Sequence, residues 1–579
     1  MTSAAEHGSN VVAHSTANYL LEGLLEIGID YLFCNFGTDH APIIEELSAR
    51  RKRGLASPQI VRCPHESTAG HMAAGYALVA GKGQGVLVHV DVGTANVATA
   101  MHNLFRSRIP VLLMAGKAPF TTSGELPGTR DTYVHFIQEP LDQGGLVRPY
   151  MKWEWTLPSG VVVKETLQRA NSVMESSPQG PVYLMLPREI LTEHWNDAEV
   201  HLLPQDQFRS VAPGGADPAL IDELADRLMK AAHPIFVTSY SGRNAQASEV
   251  IGELASLAGI AVYDDAMANL SHDIPCLLGA QPGPALSSAD FGLMVDVDVP
   301  WIPRDAKIKP GSYWAQVDVD ALKGSSPLWT FPCNIRLQGN STTILRQLVA
   351  ALRERSTPQF QDAVAKRLER IAVERGNRKA RTVELAGKPG QRGAINPHYL
   401  CAELGKLLEP TDIVFNEAVR NAPAVAMQIN RPLAGTLFRN SGGGLGASGG
   451  MALGAKLAAP DRLVAHFVGD GTFYFNNPSS VFGVAKKYKL PILTVVLDNA
   501  GWSAVKHATL QVFPEGEAKE QGEYEADLPD ADLGMIGAAF GAHAERLEDP
   551  ADVPAAVARC VNAVRSGRSA VLHVRVTPL

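Results

Sequence analysis

Cysteine is scarce and scattered in this chain. Its six residues, Cys34, Cys63, Cys276, Cys333, Cys401 and Cys560, include no CxxC pair, so neither a zinc site nor a disulfide framework is indicated. Long apolar runs are missing too. No stretch approaches the roughly 20 residues that a membrane-crossing helix needs. The opening MTSAAEHGSN lacks a basic region followed by an apolar stretch, so no signal peptide is expected. Nor is there an excess of positive charge: the net charge of −8 gives no general attraction to nucleic acid or to an anionic membrane. No short-period repeat is present. What remains is ordinary globular composition, 45% hydrophobic and 19% charged, over 579 residues. That length exceeds one core and suggests about three domains. A soluble cytoplasmic protein is the expectation.

The most informative stretch is RLVAHFVGDGTFYFNNPSSVFGVAKKYKLPILTVVLDNAGW, residues 462–502. The apolar run 463–468 is too short for a helix and reads as a buried strand. Gly469-Asp470-Gly471 then reads as a turn, with Asn476 or Asn477 capping a helix that has Pro478 just inside its start. That helix ends near Lys489, and a second apolar run reaches Leu497. Strands joined in this way lie parallel, with a right-handed crossover. Both C-terminal ends then meet at one sheet edge, where open α/β sheets bind ligands. That edge receives Asp470 and Asp498-Asn499. With a nearby carbonyl, Gly501 being a candidate, they form a hard oxygen set suited to Mg²⁺ and substrate phosphates. The glycines admit an anion close to the backbone. The bland alternative is an Asp-Gly turn and an Asn-Ala-Gly loop.

GDG followed at a set distance by an Asn pair is the diphosphate signature of thiamine-diphosphate enzymes, and the chain resembles the pyruvate decarboxylase, acetolactate synthase and benzoylformate decarboxylase superfamily. Twenty-seven residues separate Gly471 from Asn499, at the long end of the family's spacing, and Asp498 replaces the first Asn of the usual pair. The resemblance implies thiamine diphosphate and Mg²⁺ as cofactors. Asp470, Asn499 and the Gly501 carbonyl would ligate the metal, with Gly469, Gly471 and Thr472 at the diphosphate.

A second motif supports it. Glu66 stands in CPHESTAGHMAAGYA, at the start of a helix, where an acidic residue commonly answers the macrodipole. The resemblance assigns it instead as the activating glutamate, hydrogen-bonded to N1′ of the aminopyrimidine so that thiazolium C2 is deprotonated. Gly444, Gly446 and Gly449 make a GxGxxG, but the acidic residue about 20 positions on is Asp470, already taken by the better motif. By resemblance, Leu445 is the apolar wedge under the cofactor and the Gly443 carbonyl accepts from its 4′-amino group. Otherwise the run is a Gly-rich helix entry packed on the sheet. Glu417 and Arg420 occupy the loop where relatives contact the diphosphate, and Arg420 is a candidate phosphate partner.

Histidines punctuate predicted strand ends. Asp39-His40 replaces the Pro-Gly of the family's F-G-x-P-G turn, His65 precedes Glu66, and His89-Val-Asp-Val-Gly93 stands where acetolactate synthases carry an SGPG-type loop. His40 and His65 are candidate proton shuttles. Trp502, Lys506 and His507 could line the substrate entrance.

The chain as a whole reads as α/β, three domains each with a mostly parallel sheet flanked by helices. The expected divisions are residues 1–192 (pyrimidine-binding), 193–375 (central, with connectors) and 376–579 (diphosphate-binding). Strands are expected at 31–36, 59–63, 85–90, 110–115 and 182–186, then 234–238, 262–264, 291–296 and 313–317, and finally 570–576. Helices are expected at 11–27, 41–50, 66–79, 95–105, 160–174, 219–232 and 358–381, with a linker at 192–218. The resemblance implies a homodimer or dimer of dimers, Glu66 and Asp470 serving one site from different chains. It also implies decarboxylation or carboligation of a 2-oxo acid such as pyruvate. The altered turn and the missing SGPG loop point equally to a decarboxylase or lyase for another 2-oxo acid or a 2-hydroxy ketone. FAD is doubtful, because Asp296-Val-Asp-Val-Pro-Trp301 stands near where flavin-bearing members have RFDDR. A non-catalytic scaffold and a nicotinamide or flavin oxidoreductase are the readings from other classes.

Overall fold

The computed structural model describes residues 13–577 and divides into two compact units, one ending at Val211 and one beginning at Ala212, with Leu78–Ala80 counted in the second. The first unit holds a six-stranded sheet, in the order Gln59–Arg62, Tyr31–Cys34, Gln84–Val88, Val111–Lys117, Val182–Pro187, Glu154–Thr156. Every pairing is parallel. Helices such as Thr16–Glu26 and Val163–Glu175 pack together over one apolar core, which is why the central strands read as unbroken apolar runs. The expected helix 11–27 begins at Thr16, capped by the Ser15 side chain, and residues 11–12 lie outside the described part. Ala13–Ser15 instead pairs antiparallel with His194–Asn196, inside the stretch read as linker.

The second unit holds two more six-stranded sheets. One runs Leu277–Gly279, Ala261–Asp264, Pro234–Thr238, Phe291–Val295, Tyr313–Asp318, Ile335–Gln338. The other runs Leu437–Phe438, Ile413–Glu417, Val464–Gly469, Leu493–Asp498, Ala570–Arg575, His543–Leu547. Both are parallel throughout. Asn269 stitches the two together by accepting from the N–H groups of Thr436 and Leu437 at 2.8 and 2.7 Å. The charged connector is a helix that runs five residues past its expected end, Pro358–Ala386. Among the described residues no helix is long and apolar enough to cross a membrane.

Two details of the key stretch differ from expectation. Gly469-Asp470-Gly471 is not a turn: a short helix, Asp470–Phe475, starts directly at the strand's end. Nor does an asparagine side chain cap the next helix, Pro478–Tyr488. Asn477 stands at the cap in a left-handed conformation without a side-chain bond. Asn476 turns inward, and its Oδ1 accepts from Gly449 N at 2.5 Å.

Candidate active site

In the last sheet the strand order reverses between Ile413–Glu417 and Val464–Gly469, a topological switch of the kind where open sheets form ligand crevices. A cavity of about 280 Å³ lies there, lined by Arg420, Leu445, Gly469–Thr472, Asn499, Gly501 and Trp502 among others. It lies at the C-terminal ends of adjacent parallel strands, where Gly469 pairs opposite Leu497. A second cavity of about 550 Å³ adjoins through Asn499, Gly501, Trp502 and Ser503, and is also lined by Lys506 and 522–527.

The oxygen donors expected at the metal come together here. Asp470 is buried, and its Oδ2 accepts from Gly501 N at 2.7 Å. Asn499 Oδ1 is buried without a hydrogen-bond partner, and an orphaned acceptor beside a carboxylate suits a hard cation. The Gly501 carbonyl accepts from Ser503 N at 2.9 Å, leaving a second lone pair. Gly501 has φ +146°, and a Cβ there would meet Ala526 O at 2.1 Å, so glycine is required. The residues present therefore fit a magnesium ion with an anionic partner. Burial, then the neighbouring Asp498, raises the Asp470 carboxyl. Burial would raise Asp498 as well, but hydrogen bonds from His573 and Arg575 hold it far below the usual range.

The Gly-rich run packs by a device that sequence reading missed. Glu417, in the buried end of its strand, accepts from the N–H groups of Gly446, Ala447 and Ser448 at 3.0, 3.0 and 2.9 Å. It thereby satisfies the start of the helix Ser448–Ala458, and burial raises its pKa. Those amides are not open to a dinucleotide, which removes the reading of GxGxxG as such a site. Gly446 has φ +93°, and a Cβ there would meet Phe475 O at 2.0 Å. Leu445 lines the cavity, while Gly443 sits in an exposed turn outside the lining residues. Thr472 is buried on the cavity wall, and the Trp502 indole lies against Gly471. Of the other entrance candidates, Lys506 stacks over the Tyr524 ring, and His507 pairs with Gln511 on an exposed helix face.

In the first unit, Glu66 opens the helix Glu66–Ala80, buried, with its Oε2 accepting from Asn96 Nδ2 at 3.2 Å. His65 caps that helix: its Nδ1 accepts from Ser67 N at 3.1 Å. His40 is fully buried, and its Nδ1 accepts from Gly37 N at 2.9 Å. Burial pulls its pKa down, partly offset by Asp39. Both rings thus do structural work that the sequence reading did not foresee, and His40 reaches no solvent. His89, by contrast, is only part-buried and bonds to side chains at both ring nitrogens. Its Nδ1 stands 2.5 Å from Asp39 Oδ1 and its Nε2 2.5 Å from Gln138 Oε1. Burial would lower His89, but the Asp39 carboxylate outweighs it and the pKa rises. Both ring nitrogens face side-chain oxygens, an arrangement that favours the protonated ring. Asp39 and His89 follow Tyr31–Cys34 and Gln84–Val88, the two strands at which this sheet also reverses order.

A separate cluster brings His543, Glu545 and Cys560 ligand atoms within 4.8 Å of one another. Arg559 already neutralises Glu545 through bonds of 2.9 and 2.6 Å, and burial pushes the Cys560 thiol up to about 12. It is an ion-pair cluster.

Comparison with known proteins agrees with this geometry. Residues 14–146 match the family described as thiamine pyrophosphate enzyme, N-terminal TPP binding domain, and residues 422–574 match its C-terminal TPP binding domain. The chain is 24% identical to benzoylformate decarboxylase of Pseudomonas aeruginosa over 89% of its length and 91% of the relative's. It is 23% identical to acetolactate synthase isozyme 3 large subunit of Escherichia coli, covering 97% and 95%. The crystal structure of benzoylformate decarboxylase from Polynucleobacter necessarius superposes with a TM-score of 0.76 at 19% identity, covering 98% and 99%, a likeness of fold.

Proposed function

For a chain that belongs to the thiamine-diphosphate-dependent enzymes, we propose Mg²⁺-dependent decarboxylation or carboligation of a 2-oxo acid, in a cytoplasmic homodimer or homotetramer. The observation that carries this reading is the buried, unpartnered Asn499 Oδ1 beside Asp470, on a cavity at the sheet's switch point. Asp470, Asn499 and the Gly501 carbonyl would hold Mg²⁺. Gly469, Gly471 and the Thr472 hydroxyl would hold the diphosphate, and Leu445 would support the rings, with the Gly443 carbonyl receiving an amino hydrogen bond. Bound thiamine diphosphate supplies an electron sink next to the substrate's carbonyl carbon.

The protein's own residues handle protons. Glu66 would exchange one with the cofactor's aminopyrimidine through its buried carboxyl, oriented by Asn96. His89 holds one at Nε2, with Asp39 fixing the ring from the other side, and so is the proton donor of this reading. His40 and His65 serve as positioning residues. Glu66 and Asp470 would meet across a subunit interface. The domains would run 1–192, 193–375 and 376–579. A flavin is not part of the reading. The middle sheet's C-terminal edge carries Asp296, Asp298 and Asp318, bonded to Ser341, Tyr240 and Lys323, and carboxylates there oppose a diphosphate.

Within the class, a decarboxylase or lyase is favoured over acetolactate synthesis, because His89, paired with Asp39, stands where acetolactate synthases carry an SGPG-type loop. The test is titration calorimetry of metal-stripped protein with thiamine diphosphate, with and without Mg²⁺, beside Asp470→Ala. Mg²⁺-dependent binding lost in Asp470→Ala supports the reading and justifies screening 2-oxo acids for CO₂ release. No binding by wild type would sink it and leave a scaffold.

A further inference from the structure

The one departure from the family's diphosphate signature, Asp498 in place of Asn, has a partner that explains it. Asp498 ends the strand Leu493–Asp498, one residue before Asn499, and directly opposite Arg575 on the neighbouring strand Ala570–Arg575. Its two oxygens are divided between two tasks. Oδ1 accepts from Ala500 N at 2.9 Å, closing the turn that presents Asn499 and Gly501. Oδ2 accepts from His573 Nε2 and Arg575 Nη1, both at 2.8 Å. Ala500 holds φ +69° and Gly501 φ +146°, so this turn is unfavourable for an alanine and needs a side chain to fix it.

We propose that Asp498 and Arg575 are a matched pair of positioning residues that bracket the Asn499–Gly501 turn and hold it in its metal-binding conformation. The proposal rests on the metal reading above. The role assigned to Asp498 is positional: Oδ1 is spent on the Ala500 N–H and Oδ2 on His573 and Arg575.

The chemistry of the pair explains why asparagine does not serve in this chain. An asparagine could keep the Ala500 bond through its oxygen, but its amide group would then aim N–H at His573 and Arg575. His573 can respond by changing tautomer, because Asp532 Oδ1 lies 3.6 Å from its Nδ1. Arg575 has no acceptor form, so a donor would face a donor at hydrogen-bond distance. The family's usual residue is therefore the wrong one here unless Arg575 changes with it.

The test is the Mg²⁺ concentration that half-saturates thiamine diphosphate binding, read by intrinsic tryptophan fluorescence and calorimetry on the full chain, with the melting temperature recorded for each variant. D498N should raise it about tenfold or more, the range for loss of a residue that orients a metal ligand. R575M should raise it too, and D498N/R575M should return to within about threefold of wild type, because the two changes couple. The melting temperatures separate a change confined to the site from a global loss of stability. D498N within about twofold of wild type, or a double variant as impaired as D498N, would overturn the proposal while leaving the metal reading intact. If D498N folds poorly, the double variant decides alone: recovery supports the pair, and a tenfold or greater deficit overturns it. Wild type without Mg²⁺-dependent binding would overturn the metal reading and this proposal with it.

Discussion

Glu417 and Ser448 are joined twice: Oε2 of the glutamate accepts both the backbone N–H of Ser448, at 2.9 Å, and its hydroxyl, at 2.7 Å. With Gly446 and Ala447 on the other oxygen, one buried carboxylate ties down the turn that carries Leu445 into the cavity. Glu417→Ala would strand three backbone amides away from water. We expect a loss of about 3 kcal/mol or more in chemical denaturation and weaker thiamine diphosphate binding in calorimetry. Unchanged affinity would show that the turn is rigid without it.

The same serine continues inward to His466, whose Nδ1 lies 3.1 Å from Ser448 Oγ and whose Nε2 lies 2.7 Å from Thr494 Oγ1. Burial alone pulls His466 down to about 3. A histidine depressed in the folded state contributes stability that is present above its unfolded pKa, near 6.5, and is lost as pH falls toward 3. The expected cost is about 1.4 kcal/mol per pH unit below 6.5. Comparing denaturation midpoints of wild type and His466→Gln between pH 7.5 and 5 isolates this slope, since other buried histidines titrate in both proteins. Equal slopes would refute it.

A Cβ on Gly116 would fall 1.7 Å from Asp39 Oδ2, so the carboxylate occupies space that only glycine leaves free. Gly116→Ala should push Asp39 off His89 and cost about 1–3 kcal/mol by overpacking. Histidine NMR titration would then find His89 ionising at lower pH than in wild type, as it should in Asp39→Asn. A His89 titration unmoved in both variants would mean that Asp39 does not govern the ring.

Glu66→Gln keeps the size and the Asn96 contact while removing the carboxyl proton site. It should bind thiamine diphosphate as wild type does and lose turnover by about 10²–10⁴-fold, the scale for a lost acid–base group. CO₂ release from a responsive 2-oxo acid measures it. Wild-type turnover would dismiss the assigned role.

Periodicity and strand-end chemistry made much of this architecture legible. The central strands were readable because they are buried on both faces, and the helix beginning at Glu66 because its first turn directly follows a strand. Leu277–Gly279 and Glu154–Thr156 were not readable: three residues at a sheet's flank carry no period to detect. The helix Asp470–Phe475 hid behind two glycines, which favour a turn locally while packing against Trp502 permits a helix. At the site, Asp470 and Asn499 could be named from their place at strand ends. Glu417's bonds to Gly446–Ser448, Asp39's to His89 and Arg575's to Asp498 span 29 to 77 residues of sequence, and no local pattern announces pairings that only the folded sheet creates.

Val464–Gly469 and Leu493–Asp498 are neighbours in a parallel ladder, and such strands lie about 4.8 Å apart whatever joins them. The separation of Asp470 from Asn499 is therefore a backbone spacing, insulated from the length of the crossover helix Pro478–Tyr488. Residues can be gained or lost in that crossover without widening or narrowing the grip on an ion. The interval between GDG and its asparagine is thus free to drift among sequences, and counting along it measures the detour rather than the destination.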